Sequence, residues 1–345
     1  MTGVQTCALP ILADTVYGDI SPRTAAYAQK DLLKRGEPYL VIEKFGQGKP
    51  VPSRSSKVTT FRRYEALDNT PSPLTESVTP TSKTLTKTDI TATLEQYGDL
   101  VTISDVVQDT HEDPVLQEAV EILSEQASIM IEKMRFNVLK AGSNVFYANG
   151  SARDEVNTAL TRGLQRKIVR SLKRQDARHI TKVVRSTPSY GTENVAPAYV
   201  AICHPDLEGD IRNIEGFKPA EDYGSLSPYP SELGSCEGVR YVISSIFDAW
   251  EDGGATADPD TTGENTLIST TGTSADVYPI LYIGANSYGI VPLKGKGSIT
   301  PMLVNPKPSD SDPLAQRGHA SWKAMQTAAI LNDLWMVRAE VSATV

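Results

Sequence analysis

The fold of this chain can be predicted from three segments: KVTTFRRYEAL (57–67), TLTKTDITATLEQYGDLVTIS (84–104) and HEDPVLQEAVEILSEQASIMIEKMRFNVLKAG (111–142). The first two are rich in threonine and alternate with a period of two residues, which predicts β-strands. Pro71, Pro73 and Pro80 lie between them, so residues 69–82 are predicted to form an extended, solvated tip. At about 3.3 Å per residue, the strands form an arm of roughly 40 Å.

The periodicity of the arm does not show which protein surface the arm packs against. Residues 57–67 show no clear core side, whereas the second strand places Ile90, Ala92 and Leu94 on one face with several threonines. Because an isolated two-stranded hairpin is only marginally stable, the arm must lie on other protein. That protein is either its own domain or a neighbouring copy of the chain.

The third segment predicts a long helix over 113–141. Asp113 and Pro114 suit its start, and Gly142 suits its end. Apolar residues at steps of three and four predict one buried stripe, consisting of Leu116, Val120, Leu123, Ala127, Met130, Met134 and Val138. The opposite side carries Glu118, Glu121, Glu125, Glu132 and Lys133. The helix would be roughly 42 Å long, and a coiled coil is the main alternative.

Length and composition indicate a sizeable globular protein. The chain has 345 residues, of which 39% are hydrophobic, so it can bury two or three domain cores. Its net charge of −8 argues against wrapping nucleic acid with the whole surface. No apolar run approaches the eighteen residues of a membrane span. Three scattered cysteines predict neither a disulfide framework nor a zinc site, and they fit a reducing compartment.

The N-terminal region requires separate treatment. MTGVQTCALPI (1–11) resembles the translation of a sequencing adapter, so we expect it to be an assembly artefact that includes Cys7. A genuine tail or weak signal sequence is the alternative, although the segment has no basic start. Residues 12–56 then form an N-terminal arm, whose helix begins at Ser21 and ends before Gly36.

The remainder predicts a second helix and a mixed sheet. Leu160, Leu164, Ile168 and Leu172 mark the apolar face of a helical region within 154–178. The apolar runs that follow predict strands joined by polar or glycine-rich connections: AYVAIC (198–203), VRYVISSIF (239–247), YPILYIG (278–284) and GIVPL (289–293). A short helix is expected near PDLEGDIRNI. The C-terminal segment WKAMQTAAILNDLWMVRAEVSA reads as strand or short helix.

A basic series between Arg162 and Arg185 is the strongest chemical motif. A helix with such a face could contact phosphates, and the candidate DNA-facing residues are Arg166, Lys167, Arg170, Lys173 and Arg174. We favour a solvated face or an intersubunit patch, because no aromatic residues are interleaved for base stacking. A nucleic-acid-binding regulator is nevertheless one alternative function.

Other motifs do not predict catalytic, cofactor or metal sites. The acidic loop 251–265 begins like a calcium loop, but its twelfth position is Ser269 instead of glutamate. LKGKGSI (293–299) lacks the glycine spacing of a phosphate loop. Cys203 and His204 could form a nucleophile and base, yet neighbours on a strand point to opposite faces. A hydrolase is therefore a weak alternative.

Five segments of the chain carry a resemblance to a known family: YGDISPRTAAYAQKDLLKRGEPYLVIEKFGQGKPVP (17–52), TTFRRYEAL (59–67), LEQYGDLVTISDVVQDTHEDPVLQEAVEILSEQA (94–127), VLKAGSNVFYANG (138–150) and DPLAQRGHASWKAMQTAAILNDLWMVRAEV (312–341). Through them nearly the whole chain after Leu12 resembles the major capsid proteins of the coliphage N-four family of tailed bacteriophages. The resemblance implies an α+β Hong Kong 97-like fold. It further implies these parts: N-terminal arm 12–56, extended loop 57–112, peripheral domain 113–197 with spine helix 113–141, axial domain 198–291, and C-terminal return to the peripheral domain 292–345.

The resemblance also implies a structural role without catalysis or cofactors. The chain would assemble into hexamers and pentamers of an icosahedral virion shell around double-stranded DNA, in the bacterial cytoplasm and without a membrane. Portal, scaffolding and decoration proteins are further expected partners. The arm would lie over a neighbouring subunit, with contact residues Tyr64, Pro71, Pro73, Leu74, Ile90 and Leu94. An encapsulin-like cellular compartment shares this fold and is a close alternative.

Overall fold

The computed structural model describes residues 40–52, 54–71, 73–106, 115–184, 192–223, 228–257, 266–293, 300–304, 306, 308 and 312–344. The predicted N-terminal helix, Cys7 and the adapter-like segment lie outside these residues. The chain divides into two compact units. The described residues of the first unit fall within Gln96–Ile131 and Lys296–Met325, and those of the second fall within Tyr39–Glu95, Glu132–Gly295 and Gln326–Val345.

The described strands, in chain order, are β1 (Gln47–Gly48), β2 (Val58–Tyr64), β3 (Lys87–Thr93), β4 (Glu95–Ser104), β5 (Val145–Tyr147), β6 (Ile180–Val184), β7 (Thr192–Cys203), β8 (Lys218–Pro219), β9 (Glu232–Cys236), β10 (Val239–Ile243), β11 (Val277–Ile283), β12 (Tyr288–Pro292), β13 (Thr300–Val304), β14 (Arg317–Ile330) and β15 (Met336–Ser342). The described helices are α1 (Val115–Leu139), α2 (Arg162–Arg174) and α3 (Glu208–Arg212). The predicted α+β class is thereby confirmed.

The first unit combines three strands with the first part of α1. β4 and β13 both pair with β14, and a hydrogen bond of 2.8 Å from Gln126 to Asp99 ties α1 to β4. A Cβ atom on Gly98 would lie 2.7 Å from the carbonyl oxygen of Trp322, so only glycine lets the chains approach this closely here. Trp322 is buried, as are Leu123 and Ala127 on α1. A hydrogen bond therefore ties β4 to α1, and a close backbone approach holds β4 against β14.

The second unit contains an eight-stranded sheet with the order β5-β15-β11-β7-β10-β9-β8, and β6 pairs with β7. β7 runs parallel to β10 and antiparallel to β11. Successive side chains point to opposite faces, so each apolar run supplies two cores. Tyr199 and Ala201 join the cluster that contains Leu164 and Ile168 of α2, whereas Val200 joins the other cluster.

The other face of this sheet is covered by two separate segments. Ile42 and Phe45, from the start of the described chain, are buried there with Phe136 and Leu139 at the end of α1. Burial of each such side chain stabilises the fold by roughly 1.5–3 kcal/mol. Both faces of the sheet are therefore covered, which explains why its strands read as continuous apolar runs instead of alternating ones.

The C-terminal segment consists of strands. β14 and β15 are joined by a 3-10 turn at Asp333–Trp335, and β15 pairs antiparallel with β11 over seven residues. Of the segment 292–345, β15 thus lies in the same sheet as the strands of segment 198–291. This long-range pairing has no local signal in the sequence.

Candidate assembly surfaces

The base of the arm is anchored in its own subunit. β2 and β3 pair antiparallel, with Phe61 opposite Ile90. Phe61 is buried and lies so close to Gly289 that a Cβ atom there would be 2.6 Å from its ring. Leu94 is fully buried, and its backbone N–H donates to Lys57 at 2.8 Å. The prediction that β2 has no core side is therefore wrong at Phe61, because its ring covers a glycine of β12.

The exposed tip of the arm comprises the described residues between Arg62 and Thr91, and it is therefore longer than the predicted tip at 69–82. Between Arg62 and Thr91 every described side chain is exposed except for Thr88 and Ile90, which are half-buried. Arg62 and Asp89 face each other across the hairpin and form two hydrogen bonds of 2.8 and 3.1 Å. Glu65 accepts hydrogen bonds from Thr86 and Thr88, which extends the pairing beyond β2. Polar cross-strand contacts thus hold the tip together without a core of its own.

Exposed apolar side chains mark this tip. Tyr64 is 61% exposed and Leu74 is 78% exposed. The other large apolar side chains exposed on the tip are Leu67, Val78 and Leu85. Apolar residues that cluster on an exposed arm indicate a surface that another molecule covers.

The predicted contact residues separate into two groups. Tyr64, Pro71, Pro73 and Leu74 are exposed and available to another copy. Leu94 is not, because it is buried within its own subunit, so its predicted role as a contact residue is wrong. Ile90 is half-buried opposite Phe61 and offers only part of its side chain. Periodicity assigned Ile90 and Leu94 to one face correctly, but it could not show which protein covers that face.

The long helix is confirmed over Val115–Leu139, but its buried face differs from the predicted stripe. Leu123 and Ala127 are buried as predicted, whereas Met130, Met134 and Val138 are half-buried. The end of the helix instead buries Ile131, Glu132, Arg135, Phe136 and Leu139. Glu121 and Glu132 were assigned to the solvent side, and both are buried. Apolar spacing alone could not locate a face that includes charged residues.

A buried polar cluster connects this helix to the start of the described chain. Glu132 is fully buried, and its Oε1 accepts hydrogen bonds from the backbone N–H groups of Val41 (2.9 Å) and Ile42 (2.6 Å). Burial raises the pKa of Glu132 to about 7, although the charge of Arg135 and the two backbone donors lower it. Arg135 is also buried and contacts Glu43 at 3.0 Å and Gln326 at 2.6 Å.

No pattern in the sequence predicts this cluster. Glu132 and Arg135 are three residues apart, which is a spacing typical of a helical ion pair, but surface pairs share it. Neither residue type is often buried unless it is paired. The spacing of Glu132 and Arg135 is therefore compatible with a buried ion pair, but it does not distinguish a buried pair from a surface pair.

The basic residues of α2 line an open groove. Leu164, Ile168 and Leu172 of this helix are buried as predicted, together with Val169. We define the basic groove, of about 450 Å³, by its lining residues Arg166, Val169, Arg170, Lys173, Arg174 and Glu237. The basic series between Arg162 and Arg185 does not lie on one helix, because α2 ends at Arg174 and β6 begins at Ile180. Lys167 is exposed and does not line the groove.

Glu237 divides the charges of this helix into two sets. It lies in the turn between β9 and β10 and accepts hydrogen bonds from Arg162 (2.9 Å) and Arg166 (2.7 Å). These hydrogen bonds and charges lower the pKa of Glu237 to about 2. Within the described residues, Lys167, Arg170, Lys173 and Arg174 form no ion pair. Arg162 and Arg166 are thus neutralised within the subunit, whereas the other four basic side chains are not.

The described residues of the remaining chemical motifs show no site geometry. Cys203 is fully buried, which raises the pKa of its thiol to about 12, and His204 instead accepts a hydrogen bond from the backbone N–H of Asp206. Residues 258–265 of the acidic loop and 294–299 of the phosphate-like loop lie outside the described residues. Within the described ranges no cluster of metal-ligand side chains occurs, and no helix there is long and apolar enough to cross a membrane.

Comparisons with known proteins agree with this fold. A family model described as phage capsid protein matches residues 87–289, which is more than half of the chain. The capsid of Ralstonia phage GP4 is similar with a TM-score of 0.67 at 12% identity, over 99% of this chain and 98% of that one. The Cyanophage Pam1 capsid asymmetric unit is similar with a TM-score of 0.62 at 15% identity, over 96% of this chain and 98% of that one. The head structure of Helicobacter pylori bacteriophage KHP40 is similar with a TM-score of 0.60 at 10% identity, over 99% of this chain and 98% of that one. No curated protein matches the chain.

The hairpin arm, the long helix and the mixed sheet define a Hong Kong 97-like capsid fold. The chain belongs to the phage capsid protein family. It is therefore a structural subunit of the shell of a virion.

Proposed function

We propose that this chain is the major capsid subunit of a tailed bacteriophage and that it forms hexamers and pentamers of an icosahedral head around double-stranded DNA. The observation that carries the proposal is the arm, whose base packs on its own subunit while its apolar tip is exposed. An arm of this kind is stable once a neighbouring copy covers it. Shell strength then comes from many modest interfaces closed by symmetry. The N-four family of coliphages is the proposed origin.

The parts of the subunit are proposed to follow the same scheme. Residues 57–112 correspond to the extended loop, and residues 113–197 to the peripheral domain with α1 as its spine helix. The strands within 198–291 correspond to the axial domain, and β15 of the C-terminal return 292–345 pairs with β11 of that domain. No catalytic step is proposed for any of them. Assembly takes place in the host cytoplasm, where portal, scaffolding or decoration proteins are further partners.

A DNA-facing role for Arg166, Lys167, Arg170, Lys173 and Arg174 is the weaker part of this proposal. Its support is the basic face of α2, but Glu237 already neutralises part of it and the whole chain carries a charge of −8. If packaged DNA contacts the face, its binding weakens steeply as salt is raised, because counterions are released. A fluorescent duplex titrated with the purified subunit from 50 to 200 mM salt measures this dependence.

The test of the shell is the removal of the exposed tip. Size-exclusion chromatography and negative-stain microscopy of the purified chain should show closed particles. The double variant Tyr64→Ser/Leu74→Ser, and separately a deletion of 69–82, should give folded subunits that do not close shells. Leu314→Ser is the matched control, because Leu314 is 76% exposed and lies outside the arm. Normal particles from both arm variants would contradict the proposed role of the arm.

A further inference from the structure

The charge of this chain is strongly segregated. Residues 162–178 carry seven basic residues and one acidic residue, whereas the whole chain has a net charge of −8. The rest of each copy therefore carries a net charge of −14. A surface patch of one sign on a molecule of the opposite sign complements other copies of the same molecule.

The basic groove already holds one carboxylate, which shows the chemistry that fits it. Glu237 reaches Arg162 and Arg166 at hydrogen-bond distances, in the planar geometry that a guanidinium offers to a carboxylate. Its backbone φ of 47° places it in the left-handed region, so the turn is shaped to present this side chain. The carboxylate of Glu237 thus shows that the basic side chains of α2 can bind a carboxylate.

Apart from the arginine that pairs with Glu237, the groove contains basic side chains that have no acidic partner among the described residues. Arg170, Lys173 and Arg174 line it and form no ion pair with other described residues. Lys173 and Arg174 lie three and four residues after Arg170 on α2, a spacing at which like charges repel each other. The groove is open and its floor includes the nearly buried Val169. It therefore has both the space and the charge to accept further carboxylates.

We infer that the basic groove of α2 is an intersubunit contact that takes the acidic surface of a second copy of this chain. The inference rests on the proposed shell, in which a second copy is always adjacent. Two basic grooves would repel each other, so the contact joins different surfaces of the two copies. Such a heterologous contact forms a ring when its rotation closes, which is the arrangement that hexamers and pentamers require.

The inference is tested on the full chain with two triple variants of equal net charge. Arg170→Gln/Lys173→Gln/Arg174→Gln removes the unmatched cations of the groove. Lys218→Gln/Arg317→Gln/Lys323→Gln removes three exposed cations outside the groove and outside the basic segment 162–178, and it is the matched control. Sedimentation velocity and negative-stain microscopy measure the protein concentration at which particles form. Circular dichroism and thermal unfolding of the unassembled subunits show that all three proteins fold alike.

The groove variant should need roughly tenfold more protein to assemble than wild type, since charge pairs at an interface contribute on this scale. The control should assemble like wild type. Raising salt should weaken wild-type assembly but change the groove variant little, because screening acts on the contact that the variant lacks.

Three results would overturn the inference or the proposal beneath it. If the groove variant assembles like wild type, the inference is wrong. If it assembles normally but binds a mixed-sequence 30-bp duplex less tightly, the groove is a DNA site instead. If wild type forms no closed particles, the proposed shell is contradicted. The inference is then judged on smaller oligomers, whose dissociation constant the groove variant must still raise roughly tenfold.

Discussion

The substitution Glu132→Gln tests the buried cluster that joins the long helix to the start of the described chain. Glutamine keeps an oxygen that can accept the hydrogen bonds of Val41 and Ile42, but it cannot ionise. The pKa of Glu132 is raised from 4.5 to about 7 by burial. Each pKa unit corresponds to 1.36 kcal/mol, so the shift is worth about 3 kcal/mol.

The direction of this effect follows from proton binding. Between pH 4.5 and 7 the folded state holds more protons at Glu132 than the unfolded state does. This contribution to stability is therefore present at low pH and is lost as pH rises through the folded-state pKa. The Gln variant lacks this contribution, so its stability relative to wild type should rise by about 3 kcal/mol from pH 4 to pH 8.

Urea unfolding of the unassembled subunit, followed by near-ultraviolet circular dichroism at pH 4, 5, 6, 7 and 8, measures the difference. Glu118→Gln on the same helix is the control, because Glu118 is not fully buried. A Glu132→Gln variant whose stability follows the wild-type pH curve would refute the argument. It would show that the carboxyl group does not titrate in the neutral range.

Three further predictions concern stability and reactivity. Leu94→Ala should destabilise the unassembled subunit by about 2–5 kcal/mol in urea unfolding, since Leu94 is fully buried. Leu74→Ala, at a 78% exposed site, should change stability by less than about 0.5 kcal/mol. Equal effects would contradict the assignment of Leu94 to the subunit's own core. Gly98→Ala should cost about 1–3 kcal/mol, because its Cβ would press against the Trp322 carbonyl, whereas Gly48→Ala, with nothing within 4 Å, should be tolerated. Thermal unfolding compares the two, and a tolerated Gly98→Ala would show that the strands can separate there. Cys203 and Cys236 are buried and their thiol pKa values are raised, so iodoacetamide at pH 8 should label them slowly in the native protein and quickly in urea, as peptide mass spectrometry can measure.

Local patterns were sufficient for the elements of this protein. The period of α2 identified Leu164, Ile168 and Leu172 as buried, and the apolar runs found β7, β10, β11 and β12. The reason is that helix and strand geometry repeats over a few residues, so neighbouring positions carry the signal. The same periodicity grouped Ala92 with Leu94 on the buried face of the arm.

Two features that no local pattern predicted depend on residues far apart in the chain. Glu132 is buried because Val41 and Ile42, about ninety residues earlier, donate to it. Arg166 is neutralised by Glu237, 71 residues later. No spacing rule within one helix contains that information.

Sequence patterns were enough to predict the arm, the long helix and the apolar strands, and the resemblance indicated the capsid fold. Which faces these elements bury is visible only in the folded chain: Phe61 and Leu94 are covered by their own subunit, whereas Tyr64 and Leu74 are exposed. Local periodicity reveals which residues share a face, but strand pairing and packing between distant segments determine what covers that face.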